Sequence, residues 1–115
     1  MILAPGVNIF VTYNVTSYIY RVIISIRHKG LKLLWEKGNG SKLPAALVPR
    51  VSMVMQLINR AKRVEDIAFP GSDLHPLKDN LQGSWAVKIS GNYRIIFRFD
   101  EQGCDALDLD YVDYH

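Results

Sequence analysis

The chain is predicted to fold as a single α+β domain: an N-terminal strand, two helices, then a three-stranded antiparallel meander with the helices packed on one sheet face. Three observations predict it. Residues 84–111 alternate apolar and polar side chains on either side of a Gly91-Asn92 pair. Residues 44–63 carry apolar residues at three- and four-residue spacing. The length of 115 residues, 49% of them hydrophobic, is enough for one core and not for two.

The elements follow in chain order. Met1 to Tyr20 contains no charged residue and is rich in β-branched and aromatic side chains, among them Val7, Ile9, Phe10, Val11, Tyr13 and Val15. A secretory signal would want a basic start and an unbroken apolar run, and a membrane span would have to bury Asn8 and Asn14. The composition favours an extended segment over either. Val22 to His28 has strand character, with Val22, Ile24 and Ile26 on one side. Gly30 punctuates, and Leu31 to Lys37 reads as a short helix stopped by Gly38-Asn39-Gly40. A longer helix is expected from about Pro44 to Arg63, its stripe made by Leu47, Val51, Val54, Ile58 and Ala61. Pro49 leaves its start open, and Arg60, Lys62 and Arg63 suit its C-terminal end, where the helix dipole favours cations. Residues 64–83 read as a loop punctuated by Pro70-Gly71, Pro76 and Gly83.

The closing strands define two faces. Trp85, Val87, Ile89, Ile95, Phe97, Leu107 and Leu109 should cover the helices, with Gly91-Asn92 as a tight hairpin turn. Lys88, Arg94, Arg98, Asp108 and Asp110 should form a charged face. Moving Arg94 to the core would bury a guanidinium, so this register is strongly enforced.

Composition narrows the function classes. The formal net charge is +3, which permits an anionic partner without establishing one. One cysteine, Cys104, cannot form an internal disulfide; it fits a reducing, cytoplasmic compartment and reads as a small buried hydrophobe in a strand-like run. No cysteine cluster or tight His/Asp spacing suggests a metal, and no cofactor motif is present.

Four short motifs carry a resemblance: Arg27-His-Lys-Gly-Leu-Lys32, Leu74-His-Pro-Leu-Lys78, Gly91-Asn-Tyr-Arg-Ile95 and Tyr111-Val-Asp-Tyr-His115. In this order and spacing, across residues 22–115, they resemble the HigB-type toxins of the RelE/ParE superfamily, components of type II toxin–antitoxin systems. The resemblance implies a RelE-like fold over 22–115, with residues 1–21 an N-terminal extension: a start read too far upstream, or an added edge strand. It also implies a ribosome-dependent endoribonuclease that cuts mRNA in the A site without metal or cofactor. Its partners would be the ribosome, mRNA and a HigA-like helix-turn-helix antitoxin, with operator DNA bound only through the antitoxin complex and no membrane involved.

That chemistry asks a 2′-hydroxyl to lose a proton as it attacks phosphorus, a 5′-oxygen to gain one, and a phosphorane to be stabilised. By resemblance, His75, Lys78, Arg94, Tyr114 and His115 are the catalytic candidates. His75 and His115 are suited to moving protons, and Lys78 and Arg94 to holding phosphate. Tyr114 is suited to stacking on a base. Asp113, Lys88 and Arg98 are candidates for RNA binding. Read without the family, each residue has a bland alternative. His75 before a proline is a loop residue, Lys78 a solvated lysine, Arg94 an ion-pair partner of Asp108 or Asp110, and Tyr114-His115 a frayed end. His28 reads as a surface residue near rRNA or solvent. The Arg60–Arg63 cluster is a solvated cap or an RNA contact.

One departure is specific. After Lys78 the family commonly continues Gly-Asp-Arg, whereas here the stretch is Asp79-Asn-Leu-Gln-Gly83. The basic residue expected near Leu81 is missing, which should lower phosphate affinity and the salt slope of binding. Two other readings share the fold: a ParE-like toxin that inhibits DNA gyrase without cutting RNA, and a decayed relative kept as a binding module.

Overall fold

The computed structural model describes residues 2–3, 8–9 and 23–113. Strands β1 (Ile2–Leu3) and β2 (Asn8–Ile9) pair antiparallel over two residues each. The remainder of the uncharged N-terminal segment lies outside the described residues.

From Ile23 the chain runs beside the last strand, touching it by two parallel bridges, Ile23 to Ala106 and Ile26 to Leu109. The expected alternation fails here. Ile23 is buried and Ile26 packs on the core, while Ile24 is 53% exposed. A three-residue step between bridges cannot keep a two-residue period. Its partner strand is bulged at the same level.

Helix α1 (Lys29–Lys37) begins two residues earlier than the sequence suggested, because His28 caps it. The Nδ1 atom of His28 accepts from the backbone N–H groups of Gly30 and Leu31 at 3.1 and 3.2 Å, replacing the Ser, Thr or Asp usual at that position. Gly30 is required beside this cap: a Cβ there would lie 2.9 Å from the His28 ring and 3.2 Å from the Lys42 carbonyl oxygen. His28 is therefore a structural residue. The expected second helix is divided. A 3₁₀ turn (Ala45–Leu47) leads into α2 (Val48–Arg60), which places Pro49 in the first turn, where its missing N–H has no helical partner to lose. The helix stops at Ala61, and the Asp66 carboxylate takes the N–H groups of Lys62 and Arg63 at 3.0 Å each. Those bonds, Arg63 first, hold the Asp66 pKa below its ordinary value. A 3₁₀ turn (Val64–Ile67) follows.

The main sheet has four strands, in the order β3 (His75–Pro76), β4 (Ser84–Lys88), β5 (Tyr93–Asp100) and β6 (Asp105–Asp113), all antiparallel. The meander predicted from sequence is therefore extended by a two-residue strand inside the expected 64–83 loop. Its core face packs Val87, Ile95, Phe97 and Leu109 against Leu31, Val51, Val54, Met55, Ile58 and Ile67.

Three local expectations are corrected. The β4–β5 connection is not a two-residue turn: neither Gly91 nor Asn92 has positive φ, and the Ile89 N–H donates to the Tyr93 carbonyl at 2.9 Å. The Ser90 hydroxyl accepts the Tyr93 N–H at 3.3 Å inside this wider loop. Leu107 does not share a face with Leu109. A bulge opposite the Ile96–Arg98 stretch leaves Asp108 with φ of 56°, so Leu107 pairs with Arg98 on the polar side while Leu109 stays in the core. Ser25 stabilises the bulge, its hydroxyl accepting the Asp108 N–H at 2.8 Å. Cys104 is half-buried in the turn joining β5 to β6, not in a strand, with φ of 57°.

The rings of Tyr93 and Tyr111 stack at 4.9 Å with 6° between planes, and His28 meets Tyr111 edge-on at 5.4 Å. The Tyr111 hydroxyl is buried without a hydrogen-bond partner among the described residues. Burial first, then Tyr93 and Asp113, raise its pKa above 10.0. Because the folded value exceeds the unfolded one, this group's contribution to stability is intact below pH 10.0 and is lost as pH climbs through the raised value. Tyr111→Phe removes an unsatisfied hydroxyl and should leave neutral-pH stability unchanged or higher by up to about 1 kcal/mol. Urea unfolding on either side of pH 10.0 checks both points: the phenylalanine variant should lose less stability across that pH than the parent. A clear loss of stability at neutral pH would show that the hydroxyl is satisfied in solution.

Candidate active site

The polar face of the sheet is ordered by its register. His75, Ala86, Ile96 and Asp110 form one row across the four strands, and Lys88, Arg94 and Val112 form the next. Strand spacing and residue rise put the Cα atoms of His75 and Arg94 about 12 Å apart. An imidazole and a guanidinium reaching toward each other from such positions can both contact a phosphate lying between them.

β3 exists because the 69–73 loop is fastened to the start of the sheet. The Lys88 N–H donates to the Ser72 carbonyl at 2.7 Å, and the Ser72 hydroxyl accepts the Phe69 N–H at 3.2 Å. Arg50 of α2 lies 5.0 Å from the Phe69 ring centroid and donates to the Gly71 and Lys88 carbonyls at 3.3 and 3.5 Å. On either side of the His75–Lys78 segment, Asp73 and Asp79 adopt φ of 48° and 58°. Aspartate tolerates this region better than most residues, and such conformations concentrate where a segment must be aimed.

His75 is half-buried, and its Nδ1 lies 2.7 Å from the Asp73 carbonyl oxygen. A carbonyl can only accept, so this contact requires a proton on Nδ1 and makes Nε2 the atom that takes or gives a proton. The Asp73 carboxylate lies 4.0 Å from the same nitrogen. Lys78 is exposed and precedes the 3₁₀ turn Asp79–Leu81, its carbonyl accepting the Leu81 N–H at 3.1 Å.

Arg94 is held by its own hairpin. One terminal nitrogen donates to the carbonyls of Ser90, Tyr93 and Gly91 at 2.8, 3.1 and 3.5 Å. Asp108, offered by the sequence as an ion-pair partner for Arg94, is instead 3.9 Å from Arg27 and 3.3 Å from the Ser25 hydroxyl. Lys88 sits directly opposite Arg94. Arg98 is exposed four residues further along β5, its guanidinium 3.2–3.5 Å from where a side chain on Gly83, itself at φ of 96°, would begin. Asp113 ends β6 opposite Tyr93. The two remaining candidates, Tyr114 and His115, lie outside the described residues.

The register thus gathers His75, Lys88, Arg94 and Arg98 on one face, with Lys78 just beyond its edge. Among the described residues no three His, Cys, Asp or Glu side chains are grouped to hold a metal ion, and no helix is long and apolar enough to cross a membrane. A cleft of about 440 Å³ opens on the same face, lined among others by Arg27, Leu81, Ile96, Arg98, Asp108 and Asp110. Sequence reasoning left out Arg50 and read Arg27 only as part of a surface run touching solvent or rRNA phosphates. Their partners lie 21 to 81 residues away, as the pairs Arg50–Gly71 and Arg27–Asp108 show, and no local pattern announces contacts of that range.

Comparison with known proteins adds an independent line. The family model described as "RelE-like toxin of type II toxin-antitoxin system HigB" matches residues 24–115. The chain is 42% identical over 94 residues to the protein named Endoribonuclease HigB of Proteus vulgaris, covering 82% of this chain and 100% of that one. Among solved structures, a YoeB/ParE toxin from Agrobacterium tumefaciens aligns over 82% of this chain and 98% of its own, at 14% identity and a TM-score of 0.51. A chain of the RelBE2 toxin–antitoxin complex from Mycobacterium tuberculosis aligns over 84% of this chain and 100% of its own, at 18% identity and a TM-score of 0.44.

Proposed function

The chain belongs to the RelE-like HigB toxins of type II toxin–antitoxin systems, and from that premise we propose that it is an endoribonuclease that cuts mRNA in the ribosomal A site by metal-independent acid–base chemistry. The observation that carries this reading is the shared polar face: His75, with Nδ1 committed to a carbonyl, stands one row from Lys88 and Arg94. A 42% identical relative named as an endoribonuclease supports the reaction class over gyrase inhibition.

The assignment of roles is part of the proposal. The 2′-hydroxyl gives its proton to one histidine, His75 or His115, and the other delivers a proton to the departing 5′-oxygen. Arg94 and Lys78 carry the negative charge that builds on the phosphorane oxygens. Arg94 is suited to this because its hairpin carbonyls fix the guanidinium before substrate arrives, so little ordering is left for the reaction step. Tyr114 stacks on a displaced base, and Lys88, Arg98 and Asp113 hold neighbouring parts of the RNA. The toxin unit is residues 22–115, with residues 1–21 an extension to it. The type II partner is a protein antitoxin; a HigA-like helix-turn-helix protein fits, carrying any operator contact itself. Action on translating ribosomes places the work in the cytoplasm.

The test is primer extension on a defined mRNA, free or held in translating ribosomes, with the full chain added. Cuts confined to ribosome-held mRNA, at A-site codons, are the expected result. Equal cutting of free RNA would remove the ribosome from the mechanism. Intact mRNA with arrested cell growth would move the assignment to gyrase.

A further inference from the structure

The cleft beside the row of catalytic candidates has a chemistry that phosphate binding alone does not explain. Its lining includes the apolar residues Leu81 and Ile96, the first 42% exposed, along with the buried Phe97. Leu81 thus puts an exposed apolar surface at the cleft wall. Arg27 enters from the segment beside β6 and Arg98 from β5, the latter lying over Gly83 on the opposite side. Two carboxylates, Asp108 and Asp110, line the same space.

Carboxylates beside an RNA path repel phosphate, so they need a reason to be there. Asp108 has one: it receives Arg27 at 3.9 Å and the Ser25 hydroxyl at 3.3 Å, and so holds Arg27 at the cleft. Asp110 is different. Of its oxygens, Oδ1 takes the neighbouring Tyr111 N–H at 2.9 Å, a local contact that leaves the carboxylate on the polar face. It ends the row that begins at His75, three strand spacings or about 14 Å away. A planar ring between Leu81 and Ile96 would present its edge to such a group. Ionised, that group only accepts hydrogen bonds. Guanine offers a carboxylate two parallel donors, N1–H and the 2-amino group. Adenine and cytosine offer one amino group, and uracil one imino N–H.

We propose that this cleft seats one nucleotide of the mRNA next to the cleavage point, with its base between Leu81 and Ile96, its flanking phosphates at Arg27 and Arg98, and its edge read by Asp110, so that guanine is preferred at one codon position. The inference rests on the reading of the chain as an mRNA endonuclease and adds to it a base-reading residue outside the catalytic set.

The experiment compares ribosome-held mRNAs that differ in one base. Each codon position is set in turn to guanine, inosine or adenine, and initial cleavage rates are taken for the full-length protein and for Asp110→Asn. Inosine lacks the 2-amino group and keeps everything else, so it isolates one of the two bonds. At one position the parent should cut guanine roughly tenfold faster than adenine, with inosine between them. In Asp110→Asn the guanine-to-inosine ratio should fall to about one. Because ratios within one protein are compared, a general loss of activity in the variant does not imitate the result. Equal ratios in parent and variant, or no guanine preference at any position, overturn the proposal. If the parent cuts no mRNA, the functional reading has failed instead. Equilibrium binding of a fluorescein-labelled hexamer of adenines with one central guanine or inosine then decides the inference separately: the same ratio must separate parent from Asp110→Asn, and its absence sinks it.

Discussion

Arg94→Ala is expected to slow cleavage of ribosome-held mRNA by about 10²–10³-fold, the usual cost of removing one preorganised donor to a developing oxyanion. The variant should still fold. The Arg94 bonds to the carbonyls of Ser90, Tyr93 and Gly91 lie on a solvent-facing hairpin and are together worth on the order of 1–2 kcal/mol net. Arg94→Lys is the sharper variant. A lysine keeps the charge but not the planar fork, and cannot grip the hairpin and a phosphate through different nitrogens at once. It should recover little of the lost rate while binding RNA nearly as well, so the loss should appear in kcat and not in KM. Single-turnover rates and a thermal melt on each variant check this. Cleavage by Arg94→Ala within a few-fold of the parent would remove Arg94 from the catalytic set, whatever the hairpin geometry.

The same residue shows where the sequence was legible. Its place on the polar face followed from alternation alone, because the neighbours Ile95 and Phe97 had to be buried and are. The α2 stripe was readable for the same reason: Val51, Val54 and Ile58 have no exposed surface at all. The bulge at Asp108 was not readable. A bulge shifts the period by one residue, and the side chains on either side of it, Leu107 and Leu109, are both leucine, so composition gives no sign of the slip. What fixes it is Ser25, 83 residues earlier, whose hydroxyl bonds the Asp108 backbone. Strand β3 was hidden because His75-Pro76 is two residues long and lies within turn-forming residues. Its pairing depends on Arg50 and Ser72 fastening the loop. The site was therefore legible as residue types, through the family motifs. It was not legible as geometry, because the loop fastening that seats β3 and the Ser25 and Arg27 contacts that shape the cleft span long stretches of chain.

The largest single effects are expected at the two histidines, and their combination is more informative than either alone. Each histidine moved to alanine should cost about 10²–10⁴-fold in rate, the range for a positioned acid or base. If His75 and His115 serve one proton-transfer event as acid and base, removing the second after the first has little left to remove. The double variant should then be about as slow as the slower single one, far from the product of the two losses. If one histidine only binds RNA, the losses multiply, because binding and proton transfer are separate contributions. The Asp73 contact gives a further handle on His75. Its Nδ1 proton is held by the Asp73 carbonyl, which survives any side-chain change at that position. The carboxylate 4.0 Å away does not survive Asp73→Asn. That variant should leave the ring oriented and remove only the charge beside it, so its rate should stay within a few-fold of the parent if the carbonyl contact is what positions His75. Single-turnover cleavage by the parent, Asp73→Asn, each histidine variant and the double histidine variant would separate these cases. Losses that multiply in the double variant would remove one histidine from the acid–base pair.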